Sequence, residues 1–204
     1  MDSAGLIREL RPLVHDEAVI GAIARVPRDV FVPERLRGAA WENAALPLPE
    51  GQSISQPLVV AEMCEMLGLR GGEKVLDVGT GSGYHAAVLS RLCDHVISIE
   101  HLPALADAAR RSLRFAGVRN VTVITGDGSK GVPGEAPFDA INIAAASAGD
   151  PDPALMDQLT EGGRLIAPVE ERGQQRLVLY SKRNGRIERE VDGLVRFVPL
   201  VSRA

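Results

Sequence analysis

The 204-residue sequence has few of the residues that mark several classes of protein. Its two cysteines, Cys64 and Cys93, are too few for a disulfide framework and lack the spacing of a metal site. Its four histidines form no HxxxH or HExxH pair, so no metal is expected. Both cysteines are predicted to fill the core, because each lies among apolar neighbours in a predicted helix or helix end.

Long apolar runs and clusters of basic residues are also missing. No stretch reaches the roughly 18 apolar residues of a membrane span, and the N-terminal sequence lacks the apolar core of a signal peptide. The formal net charge is −4, and no run of Lys or Arg forms a footprint for nucleic acid. We therefore expect a cytoplasmic protein with no membrane partner and no nucleic-acid partner. A composition of 45% hydrophobic and 25% charged residues is typical of a globular chain with a substantial core.

From residue 71 onward, short β-branched apolar runs alternate with helical patterns. Runs that are almost continuously apolar, as buried parallel strands are, lie at 74–79, 95–100, 120–125, 138–144 and 162–169. Helical patterns lie at 84–92, 103–117 and 153–159. This alternation predicts an α/β fold with a doubly wound, mostly parallel, Rossmann-like sheet. Segments 176–183 and 194–201, with a turn at 183–185, are predicted to pair antiparallel at the C-terminal edge.

The first 70 residues have a different character. A helical pattern runs from about residue 4 to 26 with a break at Pro12, and proline-rich loop sequence follows. We expect residues 1–70 to form an N-terminal subdomain of helices and loops, and residues 71–204 to form the core. Ser55 or Gln56 is predicted to cap a helix that has Pro57 in its first turn, where a missing N–H costs nothing.

The segment KVLDVGTGSGYHAAVLSRL joins a strand to a helix through Gly79, Gly81 and Gly83. Glycine allows backbone angles that side chains forbid and lets a ligand lie against the main chain. A dinucleotide site favours G-x-G-x-x-G, with a pyrophosphate over the helix N-terminus. Here the pattern is D-x-G-x-G-x-G. The carboxylate of Asp77 would repel a pyrophosphate but accept a hydrogen bond from an ammonium group.

Acidic residues follow the next two strands as well. Glu100 lies 21 residues after Gly79, where a carboxylate can accept both hydroxyls of a ribose. Asp127 follows the third strand and can contact an adenine amino group. Acids at three adjacent strand ends suit an adenosine that carries an amino-acid tail, which is the shape and charge of S-adenosylmethionine (SAM). Glycine turns and strand-end acids are common in α/β proteins, so this interpretation depends on their joint spacing.

Blocks in one order along nearly the whole chain resemble a known family: VPRDVFVP, ALPLPEGQSISQP, VLDVGTGSGYHAAVLS, GDGSKGVPGEAPFDAI, LTEGGRLIAPV and VRFVPLV. The sequence resembles the protein-L-isoaspartate O-methyltransferases. The glycine loop alone marks only a SAM-dependent methyltransferase, whereas GQSISQP is far more specific. The resemblance implies methyl transfer from SAM to the free α-carboxyl of isoaspartyl residues in damaged proteins or peptides, with repair through a succinimide. Residues 71–204 would then be the SAM-binding methyltransferase core.

The resemblance also implies roles for single residues. Ser55 maps onto the active-site serine of the T-I-S motif. The implied cofactor-binding residues are Ile54, Ser55, Gln56, Pro57, Asp77, Gly79, Thr80, Gly81, Gly83, Glu100, His101, Asp127 and Gly128. No histidine adjoins Ser55, and a carboxylate ionised at neutral pH needs no activation, so Ser55 is expected to donate a hydrogen bond or to order its loop. His101 is explained almost as readily as an exposed strand-end histidine.

Pro49 and Ser53 depart from the family pattern P-I-G-x-G-Q-T-I-S, in which a glycine and a threonine take their places. Pro49 stiffens a loop that is expected to touch the substrate. Substrate range is therefore open. Besides isoaspartyl repair, the sequence is compatible with methylation of an aspartate in a dedicated peptide, or with SAM binding without catalysis. The expected partners are isoaspartyl-containing proteins or peptides, and the chain is expected to be a monomer.

Overall fold

The computed structural model of the protein describes residues 2–201. In chain order the helices are α1 (Ser3–Leu10), α2 (Glu17–Arg25), α3 (Pro57–Leu67), α4 (Tyr84–Leu89), α5 (Pro103–Phe115) and α6 (Pro153–Asp157). The strands are β1 (Leu46–Pro47), β2 (Ser53–Ile54), β3 (Lys74–Val78), β4 (His95–Glu100), β5 (Val121–Thr125), β6 (Phe138–Ile143), β7 (Ser147–Ala148), β8 (Leu159–Glu171), β9 (Gln174–Arg183) and β10 (Arg186–Val195). No helix within residues 2–201 is long and apolar enough to cross a bilayer.

The central sheet has the strand order β10–β9–β8–β6–β3–β4–β5, and β7 pairs with the far end of β8. Strands β8, β6, β3, β4 and β5 run parallel, and β9 and β10 are added antiparallel at one edge. β3 lies between β4 and β6, so the chain continues to opposite sides of β3 and leaves a crevice at its carboxyl end. The predicted α/β fold with a mostly parallel sheet is confirmed.

In strands β3, β4 and β6 at the centre of the sheet, both faces are buried, since successive residues of a strand point to opposite sides. Val75 packs in a hydrophobic cluster with α1 to α4, whereas Leu76 packs on the other face in a cluster with α6. Leu6 and Ile20 from the N-terminal part lie in the same cluster as Val75. The predicted N-terminal subdomain therefore shares its core with the sheet, and the boundary at residue 70 stays a prediction.

The prediction of a strand over 194–201 is wrong, although an antiparallel pair does form the sheet edge. β10 begins at Arg186, directly after a turn in which Asn184 and Gly185 have φ of 51° and 71°. Such two-residue turns join strands without a further loop. Because β10 is exposed on both faces and half of its residues are charged, it lacks the apolar pattern of a buried strand.

Residues 196–201 leave the sheet and cross its carboxyl edge. The N–H of Ala146 donates to the carbonyl of Val198 at 2.8 Å, and the N–H of Leu200 donates to the carbonyl of Ala146 at 2.7 Å. This C-terminal segment is therefore held beside the end of β6 by main-chain hydrogen bonds.

The boundaries of two predicted elements also shift. α6 ends at Asp157, and β8 begins at Leu159, inside the predicted helix 153–159. β8 is longer than predicted because its pairing with β6 is irregular between Phe138 and Ala140, and Gly162 has a φ of 82° there. A bulge of this kind adds residues to one strand without ending it. Similarly, α4 ends at Leu89 and not at residue 92.

Helix α3 is capped by a residue from an earlier loop. Gln56 occupies the N-cap position, but its side chain makes no capping hydrogen bond, and Pro57 lies in the first turn as predicted. The cap is Asn43, whose Oδ1 accepts the N–H of Leu58 at 3.0 Å. The prediction that Ser55 or Gln56 supplies the cap is wrong, because Ser55 precedes the N-cap position and lines two cavities instead.

Candidate active site

Three adjoining cavities lie at the carboxyl edge of the sheet. The glycine-loop cleft is lined by residues that include Gly79, Gly81, Glu100, His101, Gly128 and 198–201. The C-terminal cleft, with a volume of about 770 Å³, is lined by residues that include Ser55, Gln56, Gln175 and 194–199. The serine cavity, about 30 Å³, is lined by residues that include Ile54, Ser55, Thr80, Tyr84 and His85. Ser53 and Ala144 line all three cavities, so the cavities meet there.

The glycine loop has the backbone shape that its glycines allow. Gly79, Gly81 and Gly83 have φ of 93°, 54° and 89°, in the region that favours glycine. A Cβ on Gly83 would lie 3.3 Å from side-chain atoms of Ala109 and Leu113 on α5. The first two glycines therefore shape the cleft, while the third lets α4 pack closely against α5.

Glu100 lies at the carboxyl end of β4 and is 4% exposed. Its Oε2 accepts the N–H of Gly81 at 2.8 Å, and its Oε1 accepts the N–H of Leu102 at 3.1 Å. A carboxylate offers about four acceptor positions, so acceptor capacity remains for a ligand. His101 Nδ1 lies 3.2 Å from Glu100 Oε1, and both residues line the glycine-loop cleft.

Asp77 lies behind the cleft wall and is fully buried. One carboxylate oxygen accepts the hydroxyl of Ser98 at 2.7 Å, and the other accepts the amide of Asn142 at 2.7 Å. Burial raises the pKa of Asp77 to about 6, although both hydrogen bonds oppose that shift. Because Asp77 is fully buried and is not among the residues that line the three cavities, it is placed to influence a cation by its charge. The predicted direct hydrogen bond to an ammonium group stays a prediction.

Asn142 connects Asp77 to His85. The Asn142 amide nitrogen lies 3.3 Å from His85 Nδ1, and His85 Nε2 lies 3.6 Å from Cys64 Sγ. Burial lowers the pKa of His85 to about 3, so the ring is neutral at pH 7. Since the amide donates to Nδ1, the ring proton lies on Nε2. Cys64 and Cys93 are both buried, as predicted.

Ser55 is held through its main chain by a buried arginine. Arg28 is fully buried and donates to three carbonyls: Nε to Ala40 at 2.8 Å, Nη1 to Ser55 at 3.0 Å and Nη2 to Ala44 at 3.0 Å. Burial lowers the pKa of Arg28 to about 10, so the group stays charged at pH 7. Its guanidinium carbon also lies 4.9 Å from the ring centre of Tyr84, the first residue of α4.

The structure brings most of the predicted site residues together. On the walls of the three cavities lie Ile54, Ser55, Gln56, Gly79, Thr80, Gly81, Glu100, His101 and Gly128. Pro57, Asp77, Gly83 and Asp127 lie outside these walls. Pro57 is buried in the first turn of α3, and Asp127 accepts the N–H of Ser129 at 2.8 Å. The individual cofactor-binding roles stay predictions.

The sequence patterns did not indicate Ala144 or Gln175 as parts of the site. Gln175 binds both main-chain groups of Phe197: its Nε2 donates to the carbonyl at 3.3 Å, and its Oε1 accepts the N–H at 2.6 Å. Ala144 follows β6 at the same carboxyl edge as Gly79, so the rule for strand ends could have identified it. For segment 196–201, the sequence VRFVPLV is compatible equally with main-chain contacts to a peptide and with the packing of an edge strand.

The residues of the glycine-loop cleft fit SAM. Glu100 offers acceptors for ribose hydroxyls, the glycine loop exposes main chain, and Ile99 and Leu200 provide apolar walls for a base. Gly128 keeps this wall open, since a Cβ there would lie 2.7 Å from Ile99 and 2.9 Å from Val78. Among residues 2–201, no group of at least three His, Cys, Asp or Glu side chains is placed to hold a metal ion.

Comparisons with known proteins agree with this site. The family model for protein-L-isoaspartate(D-aspartate) O-methyltransferase matches residues 2–204. The chain is 50% identical over 188 residues to the protein-L-isoaspartate O-methyltransferase of Methanoculleus marisnigri, covering 92% of this chain and 85% of that one. It is 47% identical over 201 residues to the enzyme of the same name from Methanothrix thermoacetophila, covering 97% and 94%. A Plasmodium falciparum structure, described as a protein-L-isoaspartate O-methyltransferase in complex with S-adenosyl-L-homocysteine, superimposes with a TM-score of 0.87 at 25% identity, covering 98% and 99%. The chain belongs to the protein-L-isoaspartate O-methyltransferase family.

Proposed function

We propose that the protein methylates the free α-carboxyl of L-isoaspartyl residues in damaged proteins or peptides, with SAM as the methyl donor. The observation that carries this proposal is the junction of the cavities at Ser53 and Ala144. A donor in the glycine-loop cleft and a peptide in the C-terminal cleft would meet beside Ser55.

The reaction requires the methyl donor and the substrate carboxylate to be positioned, and it does not require the carboxylate to be activated. SAM supplies a methyl group on a sulfonium, and a carboxylate oxygen of the substrate accepts it. A carboxyl of ordinary pKa, about 3.5 to 4, is already ionised at neutral pH, so no general base is needed. Orientation of two reactants can contribute up to roughly 7 to 11 kcal/mol.

Ser55 is proposed as the catalytic residue that orients the substrate carboxylate. It lines both the C-terminal cleft and the serine cavity, and the serine cavity shares Gly79 and Gly81 with the glycine-loop cleft. A hydroxyl in this place can donate a hydrogen bond to one carboxylate oxygen while the other oxygen attacks. His85 is close, but its neutral ring is engaged with Asn142 and Cys64 and does not serve as a base.

On the cofactor side, Glu100 is proposed to bind the ribose, with His101 beside it. Gly79, Gly81, Gly128, Ile54 and Thr80 would shape the remaining walls. Asp77 is proposed to stabilise the cationic end at a distance, and Asp127 to contact the adenine amino group. Gln56, Pro57 and Gly83 are proposed to support these walls through α3 and α4.

Residues 1–70 are proposed as the substrate-side subdomain, residues 71–204 as the SAM-binding core, and the chain as a cytoplasmic monomer. Support for the monomer comes from the edge strand β10, whose charged residues include Arg186, Glu188 and Glu190. Charged side chains on an exposed edge strand oppose pairing with another chain.

A related carboxyl methyltransferase for a dedicated peptide is a second candidate. Ser53 favours it, because this departure from the family pattern lines all three cavities. Pro49 lies at the exposed tip between β1 and β2 and bears less on substrate choice.

The test uses labelled SAM, a peptide with one isoaspartyl residue, and its normal aspartyl twin. Base-labile label on the isoaspartyl peptide alone is the expected result. Label on the aspartyl twin as well would favour the second candidate. Label on neither peptide, with SAM binding intact, would contradict the proposal.

A further inference from the structure

Arg28 carries a charge in a place where charge is costly. It is fully buried, and none of the ion pairs among residues 2–201 includes it. A buried unpaired charge is expensive unless hydrogen bonds compensate for it. Compensation comes here from three main-chain carbonyls and the face of the Tyr84 ring.

The three carbonyls belong to two segments that no regular hydrogen-bond ladder joins to the core. Ala40 and Ala44 lie on either side of the loop that carries the Asn43 cap, and Ser55 lies between β2 and α3. The planar guanidinium presents its donors in a fixed fork, whereas a lysine ammonium is a compact point charge on a flexible stem. Arg28 therefore fixes distances between these segments that lysine would leave loose.

Arg28 also connects Ser55 to the glycine loop. The Tyr84 ring under the guanidinium belongs to the residue that follows Gly83, and Tyr84 lines the serine cavity together with Ser55. One buried side chain thus touches the main chain of Ser55 on the substrate side and the start of α4 on the cofactor side.

We propose that Arg28 is a positioning residue for methyl transfer, which acts by fixing Ser55 relative to the glycine loop. This inference rests on the proposed function. Its consequence is that Arg28 affects turnover only through Ser55. If Arg28 only stabilised the fold, its substitution would lower the melting temperature, and its effect on kcat would not depend on the presence of Ser55.

The test is a double-mutant cycle on kcat with Arg28→Lys, Ser55→Ala and the combined variant, measured well below each melting temperature. Arg28→Lys is expected to lower kcat about fivefold, with the Kd for SAM changed less than about twofold. In the Ser55→Ala background, the same change is expected to alter kcat less than about twofold. Equal fold-losses in both backgrounds, or no effect of Ser55→Ala, would overturn the inference.

Asn120→Ala is the matched control. The Asn120 amide also donates to three carbonyls, those of Ser90 at 2.9 Å, Cys93 at 3.4 Å and Asp94 at 3.0 Å, but at the opposite edge of the sheet. This variant is expected to lower the melting temperature while leaving kcat within about twofold of wild type in both backgrounds. A loss of kcat that depends on Ser55 in this control would contradict the inference.

Tyr84→Leu keeps the inference testable if Arg28→Lys does not fold. It removes the ring beneath the guanidinium and leaves the three carbonyl hydrogen bonds in place. Tyr84→Leu is expected to lower kcat less than Arg28→Lys does, and to leave kcat unchanged in the Ser55→Ala background. A loss of kcat that adds to the loss caused by Ser55→Ala would count against the inference. Failure of the wild type to methylate an isoaspartyl peptide would instead reject the proposed function.

Discussion

Asn43 Oδ1 accepts the N–H of Leu58 at 3.0 Å, although the two residues are 15 positions apart in the chain. The first turn of α3 is thereby tied to the loop that Arg28 holds through Ala40 and Ala44. Asn43 also donates to Glu9 Oε1 at 3.0 Å, which links this loop to α1. The segment that carries Ser55 is therefore anchored by long-range contacts on both its sides.

Replacing the cap should weaken the fold. Asn43→Ala is expected to lower the free energy of unfolding by about 1 kcal/mol, because the N–H of Leu58 loses its acceptor. Urea unfolding measures this. Gln56→Ala is the control: Gln56 occupies the N-cap position without a capping hydrogen bond, so its change should stay below about 0.5 kcal/mol. A larger loss in the control would show that the cap is assigned to the wrong residue.

Ser55→Ala is expected to lower kcat for an isoaspartyl peptide about tenfold, since a hydrogen bond to a charged group contributes about 1.5 to 3 kcal/mol. The Kd for SAM, measured by calorimetry, should change little, because Ser55 lines the C-terminal cleft and the serine cavity. Unchanged methylation in this variant would remove Ser55 from the mechanism.

His85 should make the fold sensitive to acid. Its pKa is about 3 in the folded protein, against an ordinary 6.5, because of burial. Below pH 6.5 the unfolded chain takes up a proton that the folded chain does not, so this stability is present above pH 6.5 and is lost as the pH falls toward 3. Between pH 6.5 and 5 the loss is about 2 kcal/mol.

The variant His85→Gln should lack this acid-dependent loss. Its unfolding free energy, compared with that of the wild type in urea at several pH values, isolates the histidine, because Asp77 is common to both proteins. A difference between the two proteins that stays constant from pH 7 to 5 would mean that the folded protein protonates His85 readily.

Asp77 should make SAM binding depend on pH. Its carboxylate forms above a pKa of about 6, and a bound cation favours the ionised form. The affinity for SAM is therefore expected to rise several-fold, about 3 to 10 times, between pH 5 and 7. S-adenosylhomocysteine keeps the ammonium group but lacks the sulfonium charge, so it should show the part of this dependence that comes from the ammonium group.

Asp77→Asn is expected to flatten that profile. Asn142 can keep a hydrogen bond to residue 77 by turning its amide, since Asn142 Oδ1 has no hydrogen-bond partner among residues 2–201, and His85 must then carry its proton on Nδ1. Calorimetric titrations at each pH provide the measurement. A wild-type affinity that does not change over this range would show that Asp77 does not act on the ligand.

The central strands could be predicted from the sequence because burial on both faces makes them continuously apolar. β10 could not, since both of its faces are exposed and its place depends on the turn at Asn184 and Gly185. The glycine loop and Glu100 follow from strand ends and spacing. Asn43 and Arg28 carry no local pattern, because their partners become neighbours only when the chain has folded.

Ala144 borders the glycine-loop cleft, the C-terminal cleft and the serine cavity. The methyl side chain of Ala144 therefore lies, with Ser53, at the junction between the donor cleft and the acceptor cleft. A bulkier residue at this position would fill the junction between the clefts. The glycine-loop cleft could still bind SAM and the C-terminal cleft could still bind the peptide, but the two reactants would stay apart. A single substitution of Ala144 could in this way abolish methyl transfer and leave only ligand binding, while every polar contact of both clefts remained in place.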